Sequence, residues 1–212
     1  MSAPVNVTTE TGVANLALQR IGRAIIADID SGTDKVSTAV NRMFSDTRDE
    51  VALMLPWSSL MTRTAISTTS ATATSGFTYK QTIANTVLRI TDLTGTDGSE
   101  NNDWRREGTT LFYNISTGYI RHIKQETSVS IWDPLFLAAL EARLASKLAI
   151  YLSSDLNIAM AMQQEYVSLL STAVLIKAVE ENENNERILA QMDARLAQYF
   201  MALSGGGRRT TE

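Results

Sequence analysis

The sequence predicts a mainly α fold: an antiparallel helical bundle built from N- and C-terminal segments, with a small β-rich insert. Three observations carry it. Apolar residues recur at helical spacing before residue 60. From Met61 the texture changes to Thr, Ser, Gly and aromatics. Helical spacing then returns at Asp133-Pro134. The boundaries read as 1–60 and 131–203 for the bundle, 61–130 for the insert and 204–212 for a flexible C-terminal tail.

Residues 1–10 are polar and Thr-rich, which predicts a flexible arm. A short helix follows from about Val13 to Ile21, with Leu16, Leu18 and Ile21 on its apolar side. Thr11 is the expected N-cap, because its hydroxyl can accept from an orphan backbone N–H of the first turn. Gly22 is the expected stop. Asp28 to Asp34 reads as a connection, and a second helix starts near Thr33 or Asp34. Val36, Val40, Met43, Phe44, Val51 and Leu55 keep one helical face. That helix must end before Pro56, whose ring pushes the preceding residue out of the α region. Trp57 is expected to anchor the exit.

In the insert, Gly76, Gly95, Gly98, Gly108 and Gly118 mark five turns. Candidate strands lie near 62–68, 77–83, 86–92, 109–115 and 118–125. The last two alternate, and Ser116-Thr117-Gly118 between them predicts a hairpin. Gly95 to Asp103 reads as a polar loop.

Asp133 is a favoured N-cap and Pro134 a favoured first helical residue. Leu135, Phe136, Ala139, Leu140, Leu144, Leu148 and Tyr151 form the stripe, with alanines that permit close helix approach. Ser153-Ser154-Asp155 breaks the chain, and a long helix resumes through Ile158, Met162, Tyr166, Leu170 and Val174. Glu180 to Glu186 is wholly polar, and Ile188 to Leu203 returns to helical spacing. No repeat of 20–50 residues is visible.

Composition narrows function. The 212 residues are 44% hydrophobic and 20% charged, so disorder throughout is not expected. There is no Cys, which removes disulfides, Cys-ligated zinc, iron–sulfur clusters and thiol nucleophiles. One histidine, His122, leaves no site needing two imidazoles. The net charge is −4, and no segment is a basic block: residues 1–60 hold 5 basic and 7 acidic groups, 61–131 hold 7 and 6, 132–212 hold 7 and 10. Strong DNA tracking is therefore disfavoured. No run of 18 apolar residues exists to span a membrane, and the N-terminus has no signal-peptide pattern. The expectation is a cytoplasmic assembly protein rather than an enzyme, with no catalytic, cofactor-binding or metal residue assigned.

Candidate chemistry is thin. No nucleotide fingerprint, phosphate loop or Gly-x-Ser-x-Gly elbow is present. His122 sits in an alternating strand and reads as an ordinary exposed or hydrogen-bonded residue. Asp28, Asp30 and Asp34 invite a calcium reading, but the fifth, sixth and twelfth loop positions hold Gly32, Thr33 and Ala39. Asp97, Glu100 and Asp103 read as a polar loop, and Glu180, Glu181, Glu183 and Glu186 as a solvated face. Trp57, Trp104 and Trp132 flank the segment junctions. Trp104-Arg105-Arg106 alone looks like a nucleic-acid platform, and hinge packing explains it better.

Four passages occur in an order that resembles a known family. They are Ala14 to Gly22 with its Arg20-Ile21-Gly22 ending; Val51 to Trp57 followed by Thr62-Arg63-Thr64-Ala65; Trp104 to Gly108 with Leu111 and Tyr119-Ile120; and Trp132-Asp133-Pro134-Leu135-Phe136 leading into Ala138 to Ala145. Together they resemble the head-to-tail adaptors of short-tailed bacteriophages, the tail tubular protein A or gatekeeper-like family. Residues 67–86, rich in Thr and Ser, and the tail beyond Ser204 depart from that pattern.

The resemblance implies a virion protein of the neck, assembled in the host cytoplasm. It implies a homo-oligomeric ring, typically of twelve copies, between the portal protein and a downstream tail or nozzle protein. DNA would cross the ring without sequence-specific binding and without a membrane. No catalysis and no cofactor are implied. Gly205, Gly206, Gly207, Arg208 and Arg209 are assigned as the tail segment that docks on the portal. The rival reading is an accessory carboxylate-dependent cell-wall hydrolase, which needs two carboxylates facing one cleft.

Overall fold

The computed structural model describes residues 7–66, 69 and 76–180. It divides into two compact units, Met1–Tyr166 and Val167–Glu212. Helix α1 spans Glu10–Arg20, α2 Lys35–Met54, α3 Pro134–Leu148 and α4 Leu156–Glu180. Strands are β1 Met61–Ala65, β2 Tyr79–Thr82, β3 Val87–Gly95, β4 Trp104–Glu107, β5 Thr110–Tyr113 and β6 Gly118–Lys124.

These proportions correct the expected fold class. Among the described residues the protein is mixed α/β, 48% helical and 21% strand with two three-stranded antiparallel sheets, and not a mainly helical bundle. The β region, expected as a small insert, has its own core. The first sheet runs β1-β6-β3 and the second β2-β5-β4. Ile83, Val87, Ile90, Leu93 and Ile120 join Leu111 and Tyr113 of the second sheet in one buried cluster. Burial of that shared face is what holds the short strands together.

The predicted 109–115/118–125 hairpin is also corrected. β5 pairs with β2 and β4, while β6 pairs with β1 and β3, so the chain leaves one sheet for the other between Tyr113 and Gly118. The tight hairpin is β4–β5, closed at Glu107↔Thr110 with Gly108 at φ 57. Gly118 has a different duty. A Cβ there would stand 2.2 Å from Thr94 O of β3. Its lack of a side chain lets β6 close on β3.

The helix ends follow local chemistry. Thr9, not Thr11, caps α1, accepting from Gly12 N at 3.1 Å. Thr11 is inside the helix, and its hydroxyl accepts instead from Ile29 N at 3.2 Å. Starting the helix two residues earlier puts Glu10 in the first turn, where its charge meets the dipole and pairs with Arg48 at 2.7 Å. At the other end Gly22 takes φ 67, Gly22 N bonds Gln19 O at 3.0 Å and Arg23 N bonds Leu18 O at 2.9 Å. This is a Schellman stop. Asp34 caps α2 through Val36 N at 2.8 Å and Ser37 N at 3.1 Å. Leu55 before Pro56 is extended, at φ −131 and ψ 152.

In the first unit α1 and α2 both pack on α3. Val13, Ala14, Ala17, Leu18, Val40, Phe44, Leu140 and Leu144 are buried there. A π-helical turn, Ala149–Ser153, ends α3, and Ser154 in the left-handed region (φ 52) turns the chain into α4. In the second unit the described residues continue α4 to Glu180, with Leu170, Ala173 and Val174 buried and Leu175 and Ile176 exposed. The expected helix over 188–203 and the tail lie outside the described residues.

Candidate assembly surface

The four passages of the resemblance are joined in space within the first unit. Trp57 leaves α2 buried, its Nε1 donating to Val51 O at 2.9 Å. Its ring meets Phe136 edge-on at 5.4 Å, and Trp132 meets the same Phe136 at 5.2 Å. The two ends of the β region are thereby pinned to one aromatic ring. Asp133 occupies the expected N-cap position of α3 but makes no capping bond. Its carboxylate accepts instead from Ser59 N at 3.2 Å and Ser59 Oγ at 2.8 Å. Arg20, from the first passage, reaches Glu141 in the fourth and Glu165 on α4, both at 2.5 Å.

Polar contacts also join the helices. Glu50 of α2 binds Arg143 at 2.7 Å and Lys147 at 2.5 Å. Arg143 donates to Gln163 Oε1 as well and lies 5.6 Å from the Tyr166 ring centroid. Burial pushes the Glu50 carboxyl upward, but the Lys147 hydrogen bond and the charges of Arg143 and Lys147 outweigh it, leaving it below the ordinary carboxylate range. The sequence held one signal for this group: Arg143 and Lys147 are four apart and so share a helix face.

The candidate residues for chemistry are used structurally. His122 is buried in β6. Burial lowers its imidazole pKa, against a backbone hydrogen bond to Ile120 that raises it, and Lys124 lowers it further. Arg106 does not form a platform with Trp104. Its guanidinium bonds Val87 O at 3.1 Å, Leu88 O at 3.4 Å and Gly108 O at 3.0 Å, tying one sheet to the other. Asp28 accepts from Asp30 N at 3.3 Å, and Asp97 accepts from Ser99 N at 3.0 Å. Among the described residues no group of three His, Cys, Asp or Glu could hold a metal. No described helix is long and apolar enough to cross a membrane. Gly205, Gly206, Gly207, Arg208 and Arg209 lie outside the described residues, as does the stretch from Glu181 to Glu186.

What sequence reasoning missed is an exposed apolar group where α3 turns into α4. Ile150 and Tyr151 of the π-helical turn and Leu156 and Met160 of α4 are exposed, Met160 by 69%. Arg23 binds Leu152 O at 2.7 Å and so brings the 21–25 segment to the same turn. Ile25, two residues on, is 62% exposed. Lys35 lies 6.0 Å from the Tyr151 ring. Large apolar side chains that cluster in solvent mark a contact surface more often than isolated ones do. No side chain in the group is a nucleophile, acid or base matched to neutral pH.

No family model and no curated protein matches this chain.

Proposed function

We propose that the chain is a structural virion component, a head-to-tail adaptor that assembles as a ring between a portal and a tail or nozzle protein. The ring, its twelve copies and its place in the neck come from the resemblance of the four ordered passages. The observation that carries the reading on the structural side is the exposed apolar group Ile25, Ile150, Tyr151, Leu156 and Met160. A ring needs a lateral contact on each copy, and such a group supplies apolar area for one. The cell-wall hydrolase gains no support. Among the described residues, Thr69, Lys80, Gln81, Thr82 and Thr110 line a cavity of about 380 Å³, and none of them is a carboxylate.

The test mixes the purified full chain with rings of a candidate portal protein. Electron microscopy and sedimentation then follow the mixture. The chain alone is expected to be monomeric or weakly associated, and to add to the portal as a closed ring. Met160→Asp and Ile25→Asp should each lower incorporation by about tenfold, with an unchanged circular dichroism spectrum. A chain that never joins the portal, or one that cleaves peptidoglycan, overturns the reading.

A further inference from the structure

The β1-β6-β3 sheet carries an arrangement that folding alone does not favour. In the β1–β6 register Arg63 stands directly opposite Arg121. Like charges directly opposite on one face destabilise a strand pair. Arg121 is steadied on its other side by Asp92, its cross-strand neighbour on β3, at 3.9 Å. Arg63 is exposed and makes no hydrogen bond or ion pair among the described residues. Beside the pair, Tyr119 lies opposite Ala65 and Thr94 and is 47% exposed.

These side chains are not scattered on a flat face. Arg63, Arg121, Tyr119, Thr94, Thr96 and the Gly95 turn line a concavity of about 360 Å³. That volume falls within the range of small-molecule sites. The described lining holds two guanidinium groups and no carboxylate. The nearby acids are occupied. Asp92 accepts from Thr91 Oγ1 at 3.0 Å and Thr94 Oγ1 at 3.1 Å. Asp97 is turned onto Ser99 Oγ at 2.6 Å.

We propose that this concavity binds a phosphate group. Arg63 and Arg121 grip two of its oxygens, the hydroxyl of Thr96 and the phenol of Tyr119 stand ready to donate to the others, and the Tyr119 ring covers whatever the phosphate is attached to. Paired guanidinium forks match the tetrahedral oxyanion in charge and in donor geometry. The bound anion also removes the Arg63–Arg121 repulsion, so binding stabilises the strand pair. Two sources present this chemistry, a free phosphate and the backbone of a DNA duplex. The proposal does not depend on ring assembly and holds for the isolated chain.

The experiment uses the isotope-labelled full chain. Inorganic phosphate and, separately, a 20-base-pair duplex are titrated while backbone amide and arginine Nε–H resonances are followed. Phosphate is expected to shift residues 94–98, 119 and 121 together with the Arg63 and Arg121 side chains. If the duplex shifts the same set, with affinity falling as about the second power of salt concentration, the source is nucleic acid. If only phosphate does, the site serves the free anion. Arg63→Gln should weaken either ligand by about tenfold, and Arg63→Lys should restore part of it. Arg63 is exposed on an edge strand, so the fold tolerates both changes. Absence of any shift at 10 mM phosphate, or equal binding by Arg63→Gln, overturns the proposal.

Discussion

Glu50 of α2 and Arg143 of α3 are 93 positions apart in the chain and meet at 2.7 Å, with Lys147 one helical turn further along on the same carboxylate. The carboxyl is held below its ordinary value, so it contributes stability that is present above the unfolded pKa. That contribution is lost as pH falls through the lowered folded value. Thermal denaturation between pH 7 and pH 3 should show the loss, and Glu50→Gln should flatten it. At pH 7 the same substitution should cost about 1–2 kcal/mol, since it removes the negative charge that two partly buried cations share. An unchanged acid limb in the Glu50→Gln profile would show that this contact is energetically silent.

His122 gives a second pH effect, in a different window. Burial favours its neutral form, so the folded value lies below the ordinary 6.5. Its contribution is complete above that value and declines as pH drops through the folded one. His122→Leu replaces the buried imidazole with an apolar side chain that does not titrate. Its stability should therefore vary less between pH 7 and pH 5 than that of the parent, as denaturant midpoints would report.

The aromatic junction separates two tryptophans that look alike in sequence. Trp57 Nε1 donates to Val51 O, whereas Trp132 Nε1 is buried with no partner among the described residues. Trp57→Phe should cost about 1 kcal/mol more than Trp132→Phe, the value of a buried hydrogen bond. Phe136→Ala, which empties the centre of the cluster, should cost about 3–5 kcal/mol. Urea unfolding of the three variants measures the order.

Gly118→Ala tests the seam between β3 and β6. The new methyl carbon would lie 2.2 Å from a backbone oxygen, which cannot swing aside as a side chain can. The strands must part locally, at a cost of at least about 2 kcal/mol. Hydrogen exchange should quicken at Thr94, Gly95 and Tyr119 while the amides of α2 and α3 stay protected.

Much of the helical layer was legible. Asp34, Gly22 and Pro56 act through local sterics and capping, which a sequence displays directly. The α2 stripe through Val40, Phe44 and Val51 is buried as its spacing requires. The sheets were less legible. Five strands were placed near their positions, but β4 reads Trp-Arg-Arg-Glu, with no apolar alternation to announce it. Strand pairing is decided by which faces share a core, so Ser116-Thr117-Gly118 looks like a hairpin turn and instead carries the chain between sheets. The candidate surfaces were hidden for a related reason. Tyr151 fits a helical stripe, and only the tertiary arrangement reveals that it faces solvent. Arg63 and Arg121 become neighbours only through a register that spans 57 residues of intervening sequence.

The pairing of Met61 with Ile123 closes the β region at its base. Seen from α2 and α3, everything between those two residues is one long excursion that departs and returns at points about 5 Å apart. Segments tethered in this way can lengthen, shorten or be exchanged without altering the spacing of the helices that carry them. The excursion still touches the helical layer, as where Arg89 Nη1 donates to Leu53 O at 3.2 Å, so a chimera joined at Leu60 and Lys124 must keep that contact.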